Sequence, residues 1–279
     1  MNALMIQGTS SGAGKSTLVT ALCRIFSDSG LSVAPYKSQN MSNFAYRGKN
    51  FEISRAQAIQ AVAARTELIP EINPILLKPR GNYQSMVYLN GKRFKKMHAK
   101  DYHLRFAPSK GLQIALSSLK KLEQNHDLII IEGAGSPAEI NLQKFDIANM
   151  AIAEAIGSSV VLVTDIDRGG SFASLVGTVS LLNKKHQRLV KGFVFNKFRG
   201  DVEVLRPGFS KLKRKTKKEI FGVIPKTKMS IPGEDSLDAN PDKFSWNKRN
   251  IKRLDAEIDR LAAIIQKNLD IRALEKIIR

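Results

Sequence analysis

One cysteine in 279 residues, Cys23, leaves nothing for an internal disulfide or a cysteine-based zinc site. Long apolar runs are missing too. The longest stretches of Leu, Ile and Val, at 128–131 and 160–163, reach four residues, whereas a membrane-spanning helix needs about twenty, so no membrane span is expected. The first residues carry no basic n-region, so no secretory leader is expected and the chain reads as cytoplasmic. Acids are scarce: 25 against 45 lysines and arginines, a formal charge of +20. The excess is local. Residues 78–110 hold nine basic residues against one acid, Asp101, and six of the eight residues of 211–218 are basic. Such charge fits an ordinary solvated surface, a polyanionic partner or an acidic small substrate, and composition alone does not choose among them.

What is present is a regular alternation of short apolar runs with helical patterns. Strands are expected at 3–7, 31–37, 128–132, 160–164, 190–196 and 220–224, several of them continuous apolar runs of the kind buried on both faces. Helices are expected at 15–29, ended by Gly30, and at 53–65, 112–123 and 172–183. Short extended pieces at 75–77 and 86–89 flank a Gly-Asn turn. This order predicts an α/β fold with a doubly wound, mostly parallel sheet. Residues 1–238 are expected to form the main domain. Residues 239–279 are expected to form a linker and a helix whose stripe, Ile251, Leu254, Ile258, Leu261 and Ile265, packs back on that domain.

The strongest chemical signal is Gly8-Thr-Ser-Ser-Gly-Ala-Gly-Lys15-Ser16-Thr17, between the first strand and the first helix. Glycines allow close backbone approach to phosphate, and the helix N-terminus offers free N–H groups. Gly12, Ala13, Gly14, Lys15, Ser16 and Thr17 are therefore the expected nucleotide cradle. Lys15 is aimed at the β- and γ-phosphates and Ser16 at Mg2+. A metal-bound triphosphate also needs a carboxylate at a neighbouring strand end, and Glu132 is the natural one; Glu52 is a weaker second ligand. Asp165 and Asp167 end the next strand, where open parallel sheets bind ligands. Asn196-Lys197 ends the strand after it. Guanine-specific NTPases follow such a pair with an Asp, one residue on, where this chain has Arg199, so Asn196 is expected to bond adenine. Lys37 ends the second strand, where an ammonium can face both a γ-phosphate and a substrate carboxylate.

Taken together, several strings resemble the cobyric acid synthase family: the glycine loop, Lys37-Ser-Gln-Asn-Met41, Ile53-Ser-Arg-Ala-Gln-Ala58, Asn73-Pro-Ile-Leu-Leu-Lys-Pro79, Glu132-Gly-Ala-Gly-Ser-Pro-Ala-Glu-Ile-Asn-Leu142, Asp165-Ile-Asp-Arg-Gly-Gly170, Lys191-Gly-Phe-Val-Phe-Asn-Lys-Phe-Arg-Gly-Asp201 and Pro232-Gly-Glu-Asp-Ser-Leu237. The glycine loop alone is shared with dethiobiotin synthetase and the Min/Par-type ATPases. The resemblance implies a P-loop, dethiobiotin synthetase-like fold and a glutamine-dependent ligase of cobalamin biosynthesis. Such a ligase uses ATP and Mg2+ to amidate side-chain carboxylates of adenosylcobyrinic acid a,c-diamide through acyl phosphates. It implies that Lys15, Lys37 and Glu132 are catalytic, that Ser16 and Glu132 hold the metal, and that Ser38, Gln39, Asn40, Asp165, Asp167, Arg168 and Gly169 face the corrinoid.

Members of that family continue into a glutaminase domain with a Cys-His-Glu triad. Cys23 falls on the helix after the phosphate loop and reads as a core residue, so ammonia is expected from a separate glutaminase chain or from free ammonium. Two other readings carry less of the sequence: a ligase for another carboxylate (cobyrinate or dethiobiotin type), and a partition-type ATPase that binds DNA or membrane through its lysines. Those switches carry a second lysine early in the loop, where Thr9 and Ser10 stand here. Nucleic acid is therefore not the expected partner. The sequence leaves a homodimer open.

Overall fold

A computed structural model describes residues 1–233 and 244–278. The end of the Pro232–Leu237 string and the expected boundary at residue 238 lie outside the described residues. In chain order the strands are β1 (Ala3–Gly8), β2 (Val33–Tyr36), β3 (Gln39–Met41), β4 (Ala45–Arg47), β5 (Glu52–Ser54), β6 (Ile75–Pro79), β7 (Gln84–Leu89), β8 (Lys92–His98), β9 (Leu128–Glu132), β10 (Ser159–Asp165), β11 (Val190–Phe198) and β12 (Glu219–Pro225). The helices used below are α1 (Lys15–Asp28), α2 (Arg55–Ala63), α3 (Leu112–Glu123), α4 (Met150–Ile156), α5 (Ser171–Leu181), α6 (Lys184–Leu189), α7 (Arg206–Thr216), α8 (Lys248–Asn268) and α9 (Ile271–Ile278).

Six strands form a wholly parallel sheet in the order β12-β11-β10-β1-β9-β2. Both faces are buried, which is why these strands read as continuous apolar runs. Alternate residues serve the two layers. Leu4, Ile6, Leu128, Ile130, Val161 and Val163 pack on one side with α1, α8 and α9. Met5, Ile129, Ile131, Val160 and Leu162 pack on the other with α3, α4, α5 and α7. Pro35 lies in β2, at the sheet edge, where a missing N–H costs no ladder bond. The doubly wound α/β architecture is the one expected from the sequence.

The extended pieces expected at 75–77 and 86–89 lie in β6 and β7, but the second sheet they build, β3-β6-β7-β8, was not expected. Its β3–β6 pair is parallel and the other pairs are antiparallel. The hairpin between β7 and β8 turns at Asn90-Gly91, both at positive φ (46° and 76°), the conformation an Asn-Gly turn adopts readily. β8, Lys-Arg-Phe-Lys-Lys-Met-His, is the exposed edge of that sheet. Charged side chains on an edge strand deter pairing with other chains, so part of the local basic excess has a structural use.

The tail helix packs as the stripe predicted. Leu254, Ile258, Leu261 and Ile265 of α8 are buried with Leu18, Leu22 and Ile25 of α1 in one core, each contributing about 2 kcal/mol of transfer free energy. The wholly buried Arg24 of α1 joins three helices. Its guanidinium ion-pairs with Asp255 and Asp259 of α8 and donates to the Ala63 carbonyl at the end of α2 (2.9 Å). Among the described residues, no helix is long and apolar enough to cross a membrane.

Candidate functional site

β1 runs into the glycine loop and α1 starts at Lys15. Gly14 caps the helix in the left-handed region (φ 102°) with no side-chain hydrogen bond, which leaves the first N–H groups of α1 facing outward for an anion. A side chain at Gly14 is excluded twice: by that φ, and because a Cβ there would stand 1.9 Å from Asn196 Nδ2. Lys15 curls over the loop and donates to the carbonyls of Ser10 and Gly135, both at 3.1 Å.

The strand order β1-β9-β2 brings three expected residues together. Glu132, the last residue of β9 and 1% exposed, pairs in register with Ile6 of β1, while Ile131 pairs with Tyr36 of β2. Lys37 follows Tyr36, and its ammonium lies 2.6 Å from Glu132 Oε1. The Ser16 hydroxyl donates to the same oxygen at 2.9 Å. Lys37 and Glu132 side chains are 6% and 0% exposed, so this is a buried ion pair at the mouth of the phosphate loop. Its other oxygen, Oε2, accepts from Gln60 Nε2 (2.5 Å) and, more distantly, from Gln57 Nε2 (3.5 Å). The sequence reading gave neither glutamine a role. Their three-residue spacing on an alanine-rich helix was the available signal, and both are fully buried.

Lys15, Ser16, Thr17, Lys37, Gln39, Asn40, Glu132 and Asn196 all line one cleft of about 580 Å³. Its far wall is apolar: Ile224, Met229, Ile231, and Leu261 and Ile264 of α8. Ala13 belongs to the loop but is buried beneath it. Asn196 points back at the loop, donating to the Ala13 carbonyl at 2.9 Å and accepting from the Lys197 amide at 2.9 Å.

The residues expected to face a corrinoid divide. Gln39 lines the cleft and accepts from the Tyr102 hydroxyl (2.7 Å), a phenol that burial holds firmly protonated. Asn40 also lines it but spends its amide on Ser54 (2.6 Å) and Gln57 (2.9 Å). Ser38 is buried, its hydroxyl on the Ile147 carbonyl at 2.7 Å. Asp165, Asp167, Arg168 and Gly169 stand beyond the cleft lining, at the end of β10. Asp165 binds Lys197 (2.8 Å), which also donates to the Gly12 carbonyl at 2.7 Å. Hydrogen bonds from Lys226 and Arg199 hold the exposed Asp167 carboxyl below its usual range. Glu52 is occupied by Lys78 of the second sheet and by Arg47, its partner across the β4–β5 pair. Cys23 is wholly buried in the core, and burial pushes its thiol well above the usual range.

Comparison with known proteins shows the family. Residues 4–235 match the family described as the CobQ/CobB/MinD/ParA nucleotide binding domain. The chain is 52% identical over 240 residues to a probable cobyric acid synthase of Thermococcus kodakarensis, covering 86% of this chain and 50% of that protein. It is 46% identical over 263 residues to the cobyric acid synthase of Dehalococcoides mccartyi strain CBDB1, covering 94% of this chain and 51% of that protein. Among solved structures, apo McdA of Cyanthece aligns with a TM-score of 0.49 at 14% identity, over 93% of this chain and 92% of that one. The chain spans about half the length of the curated relatives it matches. It belongs to the CobQ/CobB/MinD/ParA nucleotide-binding family, in which its relatives at about half identity are cobyric acid synthases.

Proposed function

We propose that this chain binds Mg-ATP and activates side-chain carboxylates of a corrinoid, adenosylcobyrinic acid a,c-diamide, for conversion to amides. The observation that carries the reading is the convergence of Lys37 Nζ and Ser16 Oγ on Glu132 Oε1 beside the phosphate loop. A nucleotide switch needs the loop, the serine and the acid. A buried lysine from a third strand, facing the same point, is what phosphoryl transfer to a second anion adds.

A hydroxyl and a carboxylate oxygen 2.9 Å apart are the hard donors Mg2+ takes, with phosphate oxygens and water completing its octahedron. Bound there, the metal would draw charge from the β- and γ-phosphates. Lys15 would do the same from the loop side, and the N–H groups of α1 would hold the phosphates in place. The apolar wall of Ile224, Met229, Ile231, Leu261 and Ile264 suits the faces of a purine. Asn196 lines the same cleft and holds the loop through Ala13, with its second amide hydrogen and second carbonyl lone pair left for a base edge.

Lys37 would bring the substrate carboxylate to the γ-phosphorus and neutralise the transferring oxygens. A carboxylate oxygen bonds to phosphorus as the bond to ADP breaks, which leaves an acyl phosphate. Ammonia then attacks the acyl carbon, phosphate departs and a proton is lost. The one thiol within these 279 residues is buried and protonated, so ammonia would reach the acyl phosphate from free ammonium or from a glutaminase that lies outside these residues.

The test is to incubate the chain with ATP, Mg2+, ammonium and adenosylcobyrinate a,c-diamide and follow the corrinoid by mass spectrometry. Stepwise replacement of hydroxyl by amino groups, with one phosphate released per step, is expected. ATP binding without any change in the corrinoid would refute the substrate.

A further inference from the structure

Glu132 has to present one oxygen to a cation while remaining a charged group in a buried site, and the residues around its far oxygen explain how. Asn40 Nδ2 donates to Gln57 Oε1 at 2.9 Å, Gln57 Nε2 to Gln60 Oε1 at 3.4 Å, and Gln60 Nε2 to Glu132 Oε2 at 2.5 Å. The three donors point the same way and the run ends on the carboxylate. In such a chain each amide polarises the next, so the last donor is strengthened where the charge sits. Gln57 and Gln60 are fully buried and Asn40 is 5% exposed, so water competes little for these bonds. The glutamines sit three residues apart on α2 and therefore on one face of it.

From this we infer that Asn40, Gln57 and Gln60 form an amide relay that fixes Glu132 with Oε2 turned to α2 and Oε1 turned to Ser16, Lys37 and the phosphate loop, the oxygen that would meet the nucleotide's magnesium. The inference rests on the Mg-ATP reading above. Gln60 and Gln57 are positioning residues, not catalytic ones. Amides suit the task better than lysine or arginine. They satisfy the far oxygen's lone pairs without adding a second positive charge to the one Lys37 already brings to Oε1, and they do not titrate. Asn40 extends the relay to β3 and so ties the second sheet to the carboxylate at the end of β9.

The test measures binding of the fluorescent analogue N-methylanthraniloyl-ATP while magnesium is titrated, in wild type, Gln60→Leu and Gln57→Leu. A hydrogen bond to a charged group is worth about ten- to a hundredfold in an equilibrium constant. The magnesium concentration for half-maximal enhancement should therefore rise by about that factor in Gln60→Leu, and by less in Gln57→Leu, whose contact is longer. Affinity for the analogue in EDTA should stay near that of wild type, since the phosphate loop is untouched. A merely structural role would instead weaken binding equally with and without magnesium. Unchanged magnesium dependence in both variants, or an equal loss with and without the metal, would overturn the relay. Wild-type binding that ignores magnesium would overturn the Mg-ATP reading itself, and the relay with it.

Discussion

Replacing Lys37 by methionine tests the buried ion pair and the chemistry at once. The ammonium and the Glu132 carboxylate are 2.6 Å apart, with side chains 6% and 0% exposed. Removing one partner of such a pair strands the other's charge and costs about 3–5 kcal/mol. Ser16 and Gln60 still donate to Glu132, which places the expected cost near the lower end, about 3 kcal/mol. Against a total stability of about 5–15 kcal/mol the variant stays folded. Its melting temperature should fall by about 6–12 °C, at about 2–4 °C per kcal/mol for a chain of this size.

The double variant Lys37→Met, Glu132→Gln carries no stranded charge and should recover most of that loss. Equilibrium urea unfolding can be followed through the single tryptophan, Trp246, which packs edge-on against Tyr46 at 5.0 Å. Ammonium-dependent amidation should vanish in both variants, while nucleotide affinity of the single variant falls by less than about tenfold. A double variant no more stable than the single one would refute the ion-pair reasoning. A single variant that weakened ATP binding but kept the full rate at saturating ATP would make Lys37 a nucleotide contact alone.

Gly14→Ala should abolish nucleotide binding by isothermal calorimetry and also lower the melting temperature, because its Cβ would enter the space of Asn196 and strain a loop at φ 102°; binding within about threefold of wild type would refute that. Cys23 should resist a thiol reagent in the native chain at neutral pH and react fully in denaturant, since burial raises its pKa and removes access. Amidation by the purified chain should accordingly run on ammonium, survive Cys23→Ala and release no glutamate from glutamine; glutamate release by this chain alone would refute the assignment of the nitrogen source.

Local pattern sufficed wherever one element carries the whole signal. The phosphate loop needs only a strand, glycines and a helix in succession, and all six central strands were legible because strands buried on both faces must be apolar throughout. Lys37, Glu132 and Asp165 were recognisable as strand-end residues for the same reason. The tail stripe on α8 was legible through its period, and its burial on α1 follows from it.

The second sheet was legible only as the extended pieces in β6 and β7, because β8 carries lysines where an alternating strand would carry apolar residues. The Asn90-Gly91 turn was the overlooked sign. What only tertiary structure decided is the company each polar residue keeps. Placing β9 between β1 and β2 is a choice of strand order, and it sets Ser16 Oγ and Lys37 Nζ within 3 Å of Glu132 Oε1 across more than ninety residues of chain. Gln57 and Gln60 look like solvent-facing residues of an alanine-rich helix until that helix is laid against the end of β9. Asn196 could be foreseen as a strand-end amide but not as a support for Ala13. Hydrophobic periodicity encodes which face of an element is buried; it carries no information about which buried polar groups meet, since that depends on strand order and on the closing of long loops.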